Sequence, residues 1–172
     1  IASHPTLLHI APEVSLMRHF KRHYKGFEAR YITADLESPL ATLHFDVQSI
    51  PMDDCSVDAV ICNHLFEHVE DDLRAMREIY RIMRPGGWGI MLVPEDRSRA
   101  TTFEDDTITD RESRTRLFGQ YDHRRVYGRD YDTRLEAAGF RVQRIPPSAW
   151  LTAEQQRLHA TGHDDLVVVY KD

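Results

Sequence analysis

The sequence predicts an α/β domain built around a largely parallel sheet. Short apolar runs alternate along the chain with longer segments whose apolar residues recur at helical spacing, the pattern of strand–helix–strand units. Three of those runs also close on a polar side chain: Asp35, Asp46 and Asn63. Polar groups at successive strand ends gather along the carboxyl edge of such a sheet, where open α/β folds bind their ligands.

Each element has a local reason. Residues 6–10 (TLLHI) form a short apolar strand. Ala11-Pro12-Glu13 turns the chain into a helix running to about His23, with Leu16, Met17 and Phe20 on one face. Lys25-Gly26 places a cation and a glycine at its end. A second strand is expected over 28–34, terminated by Asp35, a third over 42–45, terminated by Asp46, and a fourth over 57–62. The helix that follows is the best signalled. Glu70, Asp71 and Asp72 load its first turn with negative charge, and Arg81 and Arg84 load its last turn with positive charge. Leu73, Met76, Ile79, Tyr80 and Met83 form its apolar stripe. Pro85 is expected to stop it, and Gly86-Gly87 to turn into a fifth strand over 88–93.

Beyond Pro94 the pattern gives way to a polar excursion over 95–127. It holds one predicted helix, 111–118, opened by a capping-box-like Thr109-x-x-Glu112 and closed by Gly119. A helix over 129–138 and strands over 140–145 and 166–170 complete the chain. No clear crossover helix joins those last two strands, which leaves antiparallel pairing open to them.

A length of 172 residues fits one domain, here expected to span 1–172. The chain begins at Ile1 without Met and enters its first strand almost at once, so a further segment upstream is expected. The formal net charge of −6 argues against a surface built to neutralise a nucleic-acid backbone. Arginines cluster between 111 and 129, but acids are interleaved with them, as on a solvated helix face. Two cysteines, Cys55 and Cys62, cannot build a disulfide framework and suggest a reducing, cytoplasmic setting. No apolar run approaches the roughly 20 residues that cross a bilayer, so no membrane association is expected. The oligomeric state is not readable.

Several residues carry candidate chemistry. A carboxylate placed like Asp35 can accept from ribose hydroxyls, and it can equally cap its own loop. Asp46 can accept from an adenine amino group while the Val47 amide donates to a ring nitrogen. His64-Leu65-Phe66-Glu67-His68 matches the H-x-x-E-H pattern of inverted zinc peptidases. That pattern needs a long helix, whereas these residues follow an apolar strand at a turn, so no metal is expected. In the stretch 120–128, His123 is a candidate base for an acceptor hydroxyl or amine, with Asp122 or Tyr121 assisting. The competing reading is a polar turn that packs this segment over the pocket. Trp150 is expected to cover core.

Three stretches, FDVQSIPMDDCSVDAVICNHLFEHV, REIYRIMRPGGWGIMLVP and YGRDYDTRLEAAGF, resemble class I S-adenosylmethionine-dependent methyltransferases of the methyltransferase type 11-like kind. The resemblance extends over nearly the whole chain. It implies a Rossmann-like doubly wound sheet of seven strands, mostly parallel with the last antiparallel. It also implies S-adenosylmethionine as cofactor and methyl transfer to a small or medium-sized nucleophile, a small-molecule acceptor. By the same resemblance Asp35, with Leu36 beside it, takes the ribose position, Asp46 and Val47 the adenine position, and Asn63, His64 and Leu65 the wall of the methionine portion.

In one place the chain departs from the family. The first loop there usually reads acidic-x-Gly-x-Gly-x-Gly, so that the cofactor can approach bare backbone. Here His9, Ala11 and Glu13 stand where the acid and two glycines are expected, and Pro12 offers no amide. The His-Ile-Ala-Pro-Glu variant resembles one branch of the family, whose members often carry a cysteine-rich segment upstream. Two expectations follow. Either Glu13 supplies the carboxylate that meets the cofactor's ammonium, or cofactor binding is lost and the domain is a non-catalytic binding or interaction module. A zinc hydrolase through His64, Glu67 and His68 is a distant third.

Overall fold

The computed structural model describes residues 4–26, 30–158 and 165–172. In chain order the elements are β1 (Leu7–Ile10), α1 (Val14–His23), β2 (Tyr31–Asp35), β3 (Leu43–His44), β4 (Val57–Asn63), α2 (Asp72–Ile82) and β5 (Met83–Leu92). There follow β6 (Phe103–Glu104), α3 (Arg111–Phe118), β7 (Arg125–Val126), α4 (Tyr131–Ala137), β8 (Arg141–Ile145), α5 (Ala153–Leu158) and β9 (Leu166–Tyr170). Residues 28 and 29, expected to open the second strand, lie outside the described residues.

Seven strands form one sheet in the order β3-β2-β1-β4-β5-β9-β8. The first five of these are parallel, and β9 runs antiparallel to both β5 and β8. This is the expected Rossmann-like sheet with its antiparallel last strand. The register aligns Ile10 with Ala34 on one side and with Cys62 on the other. Ala11, Asp35 and Asn63 therefore emerge side by side from three adjacent strand ends, which is the geometry a shared site needs.

Strand faces alternate between two cores, as a period of two requires. Leu8, Ile10, Val60 and Cys62 pack beneath α2 and α4, against Met76, Ile79, Tyr131 and Leu135. Leu7, Ala59 and Ile61 face the other way, toward Met17 and Tyr24 of the α1 side. Leu16, expected on the buried face of α1, is exposed, because Met17 and Phe20 already cover this smaller core.

Several boundaries differ from expectation for identifiable reasons. Helix α2 ends at Ile82, before Pro85, because Met83 is already extended and pairs with Val57 of β4. Arg84 is thus not in the last helical turn; its guanidinium pairs with Asp58 at 2.7 Å. At the other end Asp71 is the N-cap, accepting from the Arg74 amide at 2.9 Å, and Asp72 is buried rather than solvated. Helix α3 is capped by Asp110, which accepts from the Ser113 amide, and not by Thr109. Trp150 is exposed and covers no core. The excursion also contains a small antiparallel pair, β6 with β7, which the sequence did not reveal because each strand is two residues long.

Candidate functional site

The carboxyl ends of β1, β2 and β3, with the turn after β4, surround an open cavity of about 240 Å³. That is several times the roughly 30 Å³ a water occupies in the liquid, so the space suits an organic molecule. Ala11, Asp35, Leu36, Asp46, Val47 and Leu65, all expected at the cofactor, line it. Ile10, Phe45, Gln48, His68, Val69 and Glu70 complete the lining and were not anticipated. The cavity thus has apolar walls with two carboxylates at strand ends.

Both carboxylates also hold their own loops. One Asp35 oxygen, Oδ1, accepts from the amides of Glu37 and Ser38 at 2.9 and 2.8 Å. Asp46 Oδ1 accepts from the Gln48 amide at 2.8 Å, and the Gln48 side-chain nitrogen donates to both Asp46 oxygens. For Asp35, loop capping and ligand binding were alternatives at the level of sequence; here capping fixes how each carboxylate is aimed. Gln48 in turn ties this loop to the start of α2. Its side-chain oxygen accepts from the Asp71 amide and its carbonyl from Arg74 Nε, each at 2.9 Å.

The first loop is organised around Glu13. His9 is fully buried and has no surface to offer a ligand, so it cannot itself line the site. Its Nδ1 lies 2.9 Å from the Tyr31 hydroxyl and its Nε2 2.7 Å from Glu13 Oε2. Asn63 Nδ2 donates to the other Glu13 oxygen at 2.9 Å. Burial lowers the His9 pKa against the opposing pull of Glu13, which keeps the imidazole neutral at neutral pH. Burial alone would raise the Glu13 pKa, but hydrogen bonds from Asn63, its own backbone and His9 outweigh it and leave the carboxyl below its usual range. Burial also raises the Tyr31 pKa. Tyr31 therefore donates to Nδ1, and Nε2–H donates to an ionised Glu13. Glu13 is the N-cap residue of α1, yet its side chain makes no capping bond. Its carboxylate is instead held between His9 and Asn63.

Backbone strain marks the same edge. Ala11 has φ 48° and His64 has φ 51°, both in the left-handed region that favours glycine. Ala11 stands where the family has a glycine, and its amide still continues the sheet by donating to Ala34 at 2.8 Å. His64 is half exposed, with Nδ1 3.7 Å from Glu67 Oε1, and that interaction raises its pKa. Residues 64–68 form a turn, not a helix, so His64 and His68 do not share the helical face that the peptidase pattern requires.

The excursion closes the other side. Arg125, expected on a solvated face, is 3% exposed. Its guanidinium donates to the carbonyls of Phe66, Val69 and Glu70 at 2.6–2.8 Å and to Glu104 at 2.9 Å. The Arg124 amide adds a bond to the Glu67 carbonyl at 2.8 Å. Asp72, buried at the start of α2, accepts from Tyr127 at 2.7 Å and from Arg134 at 2.8 and 2.9 Å. A Cβ on Gly128 would sit 2.6 Å from the Thr101 backbone, so only glycine lets the end of the excursion pass its beginning.

These ties bring His123 against His68, with ring centroids 4.7 Å apart, and Asp122 to 3.3 Å from His68 Nδ1. Of the three residues suggested for catalysis, His123 and Asp122 thus stand beside the cavity-lining His68. Tyr121 does not join them; it is exposed beneath the Arg111 guanidinium, 4.0 Å from its ring centroid. His68 and Arg125 were missed, although the H-x-x-E-H match had singled out His68 for another chemistry.

A mostly parallel seven-stranded sheet with this order, and a cavity at its carboxyl edge, define a Rossmann-like domain of class I methyltransferase type. Residues 7–91, β1 through most of β5, match the family model described as a methyltransferase domain. Among curated proteins, the chain is 27% identical over 115 residues to a Mycolicibacterium smegmatis protein described as a probable S-adenosylmethionine-dependent methyltransferase. That match covers 67% of this chain and 38% of the relative. Two solved structures share the fold. An S-adenosylmethionine-dependent methyltransferase from Mesorhizobium loti has a TM-score of 0.59 at 12% identity, covering 96% of this chain and 89% of that one. A chain from the Haloferax volcanii complex of the Trm112 methyltransferase activator with a methyltransferase candidate has a TM-score of 0.58 at 19% identity, covering 97% and 82%. The chain spans between 16% and 38% of the length of the first curated relatives it matches.

Proposed function

We propose that the domain binds S-adenosylmethionine in the carboxyl-edge cavity and transfers its methyl group to a small or medium-sized nucleophile. The observation that carries this reading is the cavity itself: Asp35 and Asp46, at neighbouring strand ends, both line it within the segment that matches the methyltransferase domain. The residues present suit the cofactor. Asp35 would accept from the ribose hydroxyls, Asp46 and the Val47 amide would hold the adenine, and Leu36 and Leu65 would cover its apolar surfaces. Asn63 Oδ1 is buried with no hydrogen-bond partner among the described residues and sits beside the ionised Glu13 carboxylate, a pairing suited to an ammonium group. His9 serves by fixing Glu13, and Ala11 by keeping the turn open.

Bound cofactor supplies an electrophilic sulfonium methyl, so the protein need only align the acceptor, exclude water and dispose of a proton. The acceptor would enter at the side closed by the excursion, where His68, Asp122 and His123 converge and where its proton would leave. A small-molecule acceptor suits the size of the cavity, and the negative net charge still speaks against nucleic acid. No described helix is long and apolar enough to cross a membrane. The two free thiols, exposed Cys55 and buried Cys62, support a cytoplasmic setting.

The test is release of S-adenosylhomocysteine when protein and S-adenosylmethionine are incubated with low-molecular-weight fractions of a cell extract. Release that depends on one fraction supports methyl transfer. Cofactor binding without release from any fraction supports the non-catalytic alternative.

A further inference from the structure

At the excursion side of the cavity three side chains converge on a second chemistry. Glu67, His68 and His123 each present a potential ligand atom, and these atoms lie within 4.8 Å of one another. A point within about 2.8 Å of all three therefore exists, against roughly 2.0–2.2 Å for zinc bonds to imidazole and carboxylate, so small side-chain rotations would close the gap.

Two further features distinguish this group from a chance cluster. Glu67 is 2% exposed, and its Oε2 is buried with no hydrogen-bond partner among the described residues. An unsatisfied carboxylate oxygen in the interior is costly and calls for a partner. Each histidine also has its Nδ1 engaged by an outer group: His123 lies 3.1 Å from the Phe118 carbonyl, and His68 lies 3.3 Å from the Asp122 carboxylate. The Phe118 carbonyl places hydrogen on His123 Nδ1 and leaves its Nε2 an acceptor, and the Asp122 carboxylate faces His68 Nδ1, an arrangement that outer-shell carbonyls and carboxylates give to metal-binding histidines.

We propose that Glu67, His68 and His123 form a divalent transition-metal site of the zinc class beside the cavity, with Asp122 orienting His68. Two histidines and one carboxylate leave at least one coordination position open, as catalytic zinc sites do. His68 lines the cavity, so that position would meet whatever occupies the acceptor side. An oxygen ligand there, water or an acceptor hydroxyl, would be acidified by the ion. The imidazoles would then be ligands rather than bases. This replaces the metal-free expectation, which considered His64 with His68 and could not see that the excursion delivers His123.

The catalytic consequence rests on the proposed methyl transfer, but ion binding does not, and it is measured without S-adenosylmethionine. Chelator-stripped protein titrated calorimetrically with Zn²⁺ should take up one ion per chain, and Co²⁺ should give the visible bands of a low-coordinate nitrogen–oxygen site. His123→Ala should weaken Zn²⁺ at least 100-fold and Asp122→Asn by about 10–100-fold, the usual cost of removing an outer partner. His64→Ala removes only a neighbour of Glu67 and should still take up one ion per chain. His123→Ala carries the decisive comparison, since Glu67→Gln alters a buried position and can fail to fold; circular dichroism verifies the fold of each variant. The absence of saturable one-to-one uptake would overturn the proposal. So would parent-like affinity in folded His123→Ala, or loss of binding on removing His64.

Discussion

The two sides of the cavity are held in opposite ways. On the β2–β3 side, Asp35 and Asp46 are aimed by amides two or three residues further along the chain. On the excursion side, His123 meets His68 because Arg125 grips carbonyls 55–59 residues away. The first arrangement forms wherever the loop forms. The second exists only when the excursion docks, so its parts should be gained and lost together.

Removing the grip should have the largest effect. Arg125→Ala takes one of two arginine partners from Glu104 and leaves three loop carbonyls to find other donors. A buried carbonyl left without a donor costs about 1–3 kcal/mol, so the three together should cost about 3 kcal/mol or more. Urea unfolding should report that loss, whereas Asp35→Ala should cost about 1 kcal/mol, the usual size of a lost cap. Equal losses in the two variants would end the distinction between the two sides.

Ligand affinity should rank them the other way. Asp35→Ala removes a charged acceptor from the proposed ribose position and should weaken S-adenosylmethionine by about 1.5–3 kcal/mol, the range for hydrogen bonds to charged groups. Calorimetry on that variant reads the effect directly, and unchanged affinity would leave Asp35 as a loop cap only.

Smaller effects belong to the altered first loop. Ala11→Gly relieves a left-handed backbone at φ 48° and should stabilise the fold by about 1 kcal/mol in the same urea assay. A destabilised variant would mean that the turn is not strained. His9 should also give stability a pH dependence. Its folded pKa lies below the ordinary value of 6.5, so in mild acid the unfolded chain binds the proton and the folded chain does not. This contribution is present in full above about pH 6.5 and is lost as pH falls toward the folded pKa. Urea midpoints measured from pH 7.5 down to pH 5 should fall more steeply for the parent than for His9→Gln.

The same contrast explains what could be read from sequence. The antiparallel last strand was expected from the family resemblance; the parallel part of the sheet and the strand-end acids were legible because each is a local pattern: an apolar run, a polar stop, a helix with opposite charges at its ends. Asp35 and Asp46 were found for that reason. His68 and Arg125 were not, because their roles depend on contacts across more than 50 residues of chain. Arg125 in particular reads as one of several arginines among acids, and only burial separates it from its neighbours. Asp72 was taken as a helix-start charge; its position was right, but its main work is to bind Tyr127 and Arg134. The end of α2 was misjudged because Pro85 looked like a stop, whereas pairing of Met83 with β4 acts two residues earlier.

The central claim is that a glycine-poor first loop still makes a cofactor site, with Glu13 held by His9 and Asn63 in place of the strand-end acid. Calorimetric titration of S-adenosylmethionine into the parent protein and into Glu13→Gln tests it most directly. The account predicts saturable one-to-one binding by the parent, and binding weaker by about 1–3 kcal/mol in the variant, with little change in folding stability. Equal affinity in both proteins would remove Glu13 from the site, and no binding by the folded parent would contradict the claim outright.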